Sequence, residues 1–395
     1  ITFGDGSAIV GGTNFTDATL DTITLGGTEL LITGAVTITG PGADLLTIDA
    51  NQGSRIFHVD DQDAATQIVV GIDGLTLTGG NATGSGLVAT GGGAIFTREE
   101  LTVSNSTISG NTASLRGGGI YSSHYSNGSS STTVINSTIS GNTASLRGGG
   151  IDNHSGTTTV SNSTISGNTA SKGGGMSNYS GTTTVSNSTI SGNTSGDRGG
   201  GINTFGGTTT VSNSTISGNN AKYGGGIHNR GTTTVSNSIV AGNTLTAGSG
   251  ASDLAGASVT GRFNLIGTGG SGGLTNGTGG NIVGVDWTTV LLNDGTIPTL
   301  ADNGGPTQTI ALLAGSPAIN AGSNELATDD GTSTGTTLVN DQRGRPFVRI
   351  VGDTVDIGAF ENANTAPVKA VAPPTFPVLS AITVNTTLDA VDATD

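Results

Sequence analysis

Between residues 157 and 202 the chain repeats itself almost letter for letter. TTTVSNSTISGNTASKGGGMSNYSG is followed by TTTVSNSTISGNTSGDRGGGI. The Val of this run recurs as Val103, Val134, Val160, Val185, Val211 and Val235, at intervals of 31, 26, 25, 26 and 24 residues. Each copy carries two more apolar points. One is an Ile five residues on (Ile108, Ile139, Ile165, Ile190, Ile216, with Val240 last), and the other follows a Gly triplet (Ile120, Ile151, Met176, Ile202, Ile227). A fixed period of this length implies a stacked array of units that cannot fold alone. Alternation rich in Val, Ile and Thr, broken by Gly and Asn, implies short strands rather than helices. Three such strands per unit, stacked on themselves, predict an all-β solenoid, a right-handed parallel β-helix.

Stacking accounts for the residue types. Successive coils lie about 4.8 Å apart, so like residues touch, and each buried Val or Ile contributes roughly 1.5–3 kcal/mol. The Gly triplet permits a turn at positive φ. The Asn of each SGN (Asn111, Asn142, Asn168, Asn193, Asn219, Asn243) falls at one turn, where stacked amides satisfy turn backbone groups.

Composition narrows the function classes. Gly supplies 70 of 395 residues, and only 10% are charged. That bias without a period would suggest disorder; the apolar columns argue for order. A net charge of −15 argues against nucleic acid as partner. Zero Cys excludes disulfides and thiolate metal sites. No apolar run approaches the ~18 residues of a membrane helix. The chain opens at Ile1 without Met, which reads as a processed piece of a longer precursor.

Five segments are expected. Residues 1–80 are irregular early coils, 81–250 the regular repeats with an insertion at 122–131, and 251–361 irregular coils or a cap. Residues 362–380 form a linker rich in Pro, and 381–395 a terminal strand. The spacing predicts roughly 11–12 coils over the first 290 residues, about 55 Å of solenoid.

The repeat NSTISGNTAS…GGGI resembles those of bacterial surface β-helix proteins related to chlamydial polymorphic outer-membrane proteins. Farther on come Asn303-Gly304-Gly305-Pro306-Thr307, Gly315-Ser316-Pro317-Ala318-Ile319-Asn320-Ala321-Gly322, Asp341-Gln342-Arg343-Gly344 and Val355-Asp356-Ile357-Gly358-Ala359-Phe360-Glu361. These resemble the choice-of-anchor type of region that ends many such proteins. The resemblance implies a cell-surface, extracellular location and supplies no catalytic residues.

Three constellations are candidates. Cleavage of polysaccharide needs paired acid and base groups on one exposed face, but the repeated strands present Thr and Ser. The acidic run Asp60, Asp61, Asp63 reads as a solvated loop, and His58, His124, His154 and His228 occupy different phases of their copies. The expectation is therefore that the chain is not an enzyme and holds no catalytic metal or cofactor. Structural calcium at acidic turns is the open alternative. The second constellation is an outward column of Thr102, Thr133, Thr159, Thr184, Thr210 and Thr234, with Ser104, Ser161, Ser186, Ser212 and Ser236 beside it. It is either a soluble wall or a flat face for ice or polysaccharide. The third is a column of cations, Arg116, Arg147, Lys172 and Arg198, each immediately before a Gly triplet. It reads as a solvated turn or as a contact with carboxylates.

The functional expectation is a structural or adhesive surface protein. Its partners are further copies of itself, joined head to tail into a filament, and surface glycans. Assembly would use Ile382, Thr383, Val384 and Leu388 as a strand donated to the first coil of the next molecule, at Ile1, Thr2 and Phe3. The same strand serving a following domain in the same chain is the alternative.

Overall fold

The computed structural model describes residues 14–15, 17–84, 86, 88–124, 130–246 and 252–362. Strand follows strand in parallel, each coil pairing with the next, as a right-handed parallel β-helix. Three sheets run along its axis. The first has 11 strands built on the TIS segments, which sets eleven rungs, about 50 Å of solenoid. The second has 16 strands and takes two segments from each coil: the one after the Gly triplet and the TTTVS segment. In Ile202–Ser212 and Ile227–Ser236 these two segments merge into one strand. The third has seven short strands built on Thr-Ala.

The expected stacking is present residue for residue. Val160 lies between Val134 and Val185, Ile165 between Ile139 and Ile190, and Met176 between Ile151 and Ile202. All nine are buried in one continuous core that begins at Ile38 and reaches Leu274. A fourth apolar column, Ala82, Ala113, Ala144 and Ala170, fills the narrow corner of the third sheet.

Turns are closed by two columns of polar side chains. The amide Nδ2 of Asn168 donates to Oδ1 of Asn193 at 2.9 Å and to the Ile139 carbonyl at 2.9 Å, and its backbone N–H donates to the same Oδ1. The pattern runs unbroken from Asn111 to Asn243 and ends on the Asp253 carboxylate. A second column links Ser106, Ser137, Ser163, Ser188, Ser214 and Ser238, each N–H donating to the next Oγ. The Asn of each NST is a left-handed turn residue; Asn162 has φ 50° and Asn187 49°. The first Gly of the triplet needs the same region. A Cβ on Gly148, at φ 60°, would lie 2.3 Å from the Ile151 carbonyl.

Two expectations are corrected. The insertion after residue 120 is shorter than 122–131, because Ser122 and Ser123 belong to strand Ile120–Ser123 and pair with Asn153 and His154. Residues 291–362 add no coils and do not cap the end. Strand Ile282–Val285 is the last to join the TIS sheet, and residues 291–362 make only isolated antiparallel bridges. They lie along the flank, on the outward side of the TIS and NST positions. Gln342, fully buried, donates from Nε2 to Thr164 Oγ1 at 2.9 Å and accepts from Thr189 Oγ1 at 2.6 Å. Asn213 donates to the Leu326 and Thr328 carbonyls, and Asn237 to Ser323. The physical cause is visible in the last coils. The outward position held by Thr164, Thr189 and Thr215 becomes Ile239 and then Leu265, and both join Val290, Leu291, Ile310, Leu312, Ala318 and Ile357 in a second core.

Candidate functional site

The Gly triplet fixes what stands on either side of it. The backbone before the triplet is in register from coil to coil, Arg116 bridging to Arg147, Arg147 to Lys172, and Lys172 pairing with Arg198. The four cations therefore form one column, as the spacing predicts. They are half-buried rather than fully solvated. The strand after the triplet alternates. Its first residue is the inward Ile, and the next position faces out and stacks as Tyr121, Asp152, Ser177, Asn203 and His228. Two residues farther, His154 pairs with Tyr179, and Phe205 follows beside a bulge.

These columns make a groove parallel to the solenoid axis. One wall is the cation column. The other is a stack of rings: His154 on Tyr179 at 4.9 Å and 7°, and Tyr179 on Phe205 at 5.0 Å and 3°. Such small angles arise from parallel strands that hold each ring directly above the last. The walls meet across the floor, with the Arg147 guanidinium 3.8 Å from the Tyr179 ring centre, a contact favoured by the negative face of the ring. Arg116 donates to the Tyr121 hydroxyl at 3.0 Å. At the far end Arg230 lies 5.3 Å from the centre of Phe205. Two cavities open along the groove and share Arg198. One of about 90 Å³ is lined by Arg147, Lys172, Tyr179, Asn203 and Phe205. The other, of about 440 Å³, is lined by His228, Asn229, Arg230 and Gly256.

The floor is polar and buried. Asp152 is fully buried, Ser177 2%, Asn203 3% and His228 7% exposed. The carboxylate oxygens of Asp152, Ser177 Oγ, Asn203 Oδ1 and His228 Nδ1 have no well-formed hydrogen bond. Burial pushes the Asp152 carboxyl up to about 6, against the pull of nearby Ser177, Arg147 and Arg116. Burial pushes His154 and His228 down to about 4, helped by Arg116 and Arg147 at the first and by Arg198 and Arg230 at the second. Both imidazoles are neutral near pH 7.

The remaining expected residues lie elsewhere. Thr102, Thr133, Thr159, Thr184, Thr210 and Thr234 stack in register on the other half of the large sheet, all half-exposed. The Ser column beside them is not a free face along its length. Ser186, Ser212 and Ser236 are buried, and Gly331 of the flanking segment sits against Ser212 and Ser236. The outer hydroxyl row that is exposed comprises Thr157, Thr182, Thr208 and Thr232. Asp60, Asp61 and Glu99 bring carboxylate oxygens within 4.8 Å of one another. Glu99 accepts from the Ile68 and Asp61 backbone N–H groups, and Asp60 pairs with Arg98 at 3.2 Å. These bonds give the cluster a structural task, bracing a turn. The assembly residues Ile1, Thr2, Phe3, Ile382, Thr383, Val384 and Leu388 lie outside the described residues. Sequence reasoning missed the ring stack and the floor. Their signal was phase rather than identity: His154, Tyr179 and Phe205 keep the same 25- and 26-residue steps as the Val column.

Residues 105–123 match the model of the Chlamydia polymorphic membrane protein repeat. No curated protein matches the chain. Among solved structures, the chain is similar to pectate lyase Pel9A, at 15% identity and a TM-score of 0.44, with 87% of each chain covered. The chain is thus a parallel β-helix in which one repeat is similar to the polymorphic membrane protein repeat. The expectation that it is not an enzyme is corrected: a pectate lyase, a β-helix enzyme, stands among the similar structures. Among the described residues no helix is long and apolar enough to cross a membrane.

Proposed function

We propose that the protein is an extracellular, adhesive β-helix that holds a surface glycan along the groove between the cation column and the ring stack. The observation that supports this most directly is the ring stack itself. His154, Tyr179 and Phe205 stack face to face in parallel planes at the rise of one coil, and so line the groove with a continuous apolar row of ring edges. Such a row is an apolar strip on which the C–H groups of a sugar chain can pack, and sugar hydroxyls need polar partners of the kind the floor supplies. The test is retention of the purified chain on immobilised glycans, comparing wild type with Tyr179→Ala/Phe205→Ala. Loss of retention in a variant with an unchanged strand-dominated circular dichroism spectrum supports the reading. Equal retention of the two proteins rejects it.

A second reading, head-to-tail association, is favoured by the first described coil. Strands Asp21–Thr24 and Leu30–Ile32 each pair on one side only among the described residues. Leu30 and Leu31 are 41% and 54% exposed. An unpaired edge invites strand addition. Deletion of residues 382–395 should then lower the association state seen in sedimentation while leaving the fold intact. Unchanged association removes this reading.

A further inference from the structure

We infer that the groove takes an acidic polysaccharide, laid parallel to the solenoid axis so that successive anionic groups meet Arg116, Arg147, Lys172 and Arg198. This rests on the glycan reading above and adds the charge of the ligand to it.

Two independent observations carry the inference. The first is where the positive charge lies. The chain has 13 Lys and Arg against 28 Asp and Glu, yet Arg116, Arg147, Lys172, Arg198 and Arg230 are gathered along one groove. Like charges at the rise of a coil repel each other, and the protein offsets this only in part, through the buried Asp152 near Arg116 and Arg147 and the Tyr179 ring at Arg147. Among the described residues Arg116, Arg147 and Lys172 have no carboxylate within ion-pair distance, and Arg198 has only Asp197, its chain neighbour, at 3.8 Å. A polyanion bound along the column removes that repulsion, and guanidinium groups suit carboxylate and sulfate oxygens.

The second is the floor. Asn203 and His228 are each more than nine-tenths buried, and each carries a polar side-chain atom without a hydrogen-bond partner. Asn203 lines the smaller cavity and His228 the larger. A buried polar atom without a partner destabilises the site it lines, and hydroxyls of a bound sugar satisfy it.

The spacing agrees. One coil rises about 4.8 Å, close to the length of one pyranose unit, so one acidic sugar per coil keeps pace with one cation per coil. A single-stranded nucleic acid also combines anions with stacking faces. The polar recognition offered by the floor, and ring faces taken up by one another rather than free for bases, favour the sugar chain.

The experiment is titration calorimetry of the full chain with four probes: a polyuronate, its methyl ester, a sulfated galactan, and a single-stranded oligonucleotide. Variants are Arg147→Gln/Lys172→Gln and Tyr179→Ala/Phe205→Ala, each checked for native circular dichroism. The expected result is binding of the polyuronate or the sulfated polymer. That binding should weaken at least tenfold in the cation variant and fall as salt rises. Whichever of the two binds more tightly identifies the anion. Equal affinity for the polyuronate and its ester, kept in the cation variant and lost in the ring variant, overturns the acidic inference and leaves the glycan groove standing. Binding of no glycan overturns both. Tighter binding of the oligonucleotide overturns both in favour of nucleic acid.

Discussion

Replacing Asp152 by Asn should stabilise the protein near neutral pH and leave it almost unchanged in acid. Asp152 is fully buried beneath Arg116 and Arg147, beside Ser177 and near His154, with no well-formed hydrogen bond to either oxygen. Its carboxyl is raised from 3.8 to about 6. Because the folded chain holds this proton more tightly than the unfolded chain, stability falls as pH rises through that window and is level above it. A rise of about two units corresponds to about 3 kcal/mol, an upper figure for the penalty of keeping the ionised group in place. Asn keeps the shape and removes the charge, so that penalty disappears in the variant. The neutral imidazoles His154 and His228 work in the opposite sense, costing stability as pH falls from 6.5 through about 4. Both are present in each protein and cancel in the difference. Coils of a solenoid open semi-independently, so the assay is local: hydrogen exchange of strands Ile151–His154 and Met176–Tyr179. The variant should gain protection at pH 7.5, and the gain should vanish near pH 4. A variant less protected at pH 7.5, or a gain independent of pH, would refute the reasoning. Either would show the carboxylate to be a favourable partner of the arginines.

Other outcomes concern the core and the turns. Ile165→Asp places a carboxylate between Ile139 and Ile190 and should cost several kcal/mol, whereas Thr159→Ala should cost about 0.5 kcal/mol or less, both read by urea unfolding. Asn168→Ala removes the acceptor for the Asn142 amide and the donor to the Ile139 carbonyl, and should cost about 3 kcal/mol in the same assay. Gln342→Ala should release the flanking segment before the coils open, read as earlier proteolysis within residues 291–362 while coil protection persists.

How much of this was legible depends on how each column repeats. Val103 to Val235, Ile108 to Ile216 and Asn111 to Asn243 repeat as identical letters, because an inward position or a turn admits few residue types. The period alone therefore locates them. The floor and ring columns face outward, where packing does not dictate identity, so Asp152, Ser177, Asn203 and His228 share a phase and nothing else. The Arg and Lys column was legible, but the rings opposite it were not, and without them it could be read as a solvated turn. The flanking segment was foreshadowed by one substitution: NSTI becomes NSIV at 237–240, placing Ile239 where Thr had stood. Its docking partners are 86 to 178 residues away in sequence, beyond the reach of any local pattern.

The in-register pairing of near-identical coils has a consequence for how such a chain changes over generations. Each repeat hands the next the same contacts it received, so Val meets Val, Ile meets Ile and Asn meets Asn from one coil to the next between residues 134 and 219. A whole repeat can be gained or lost by unequal recombination with the inward and turn contacts of the new junction chemically the same as those removed, while the segment docked on Thr164, Thr189 and Asn213 shifts its grip by one coil. Such an event changes the reach of the molecule by about 4.8 Å and its row of cations by one, with no core to be redesigned. Length becomes a dial that selection turns in single clicks, and the strength of a multivalent grip along the axis turns with it.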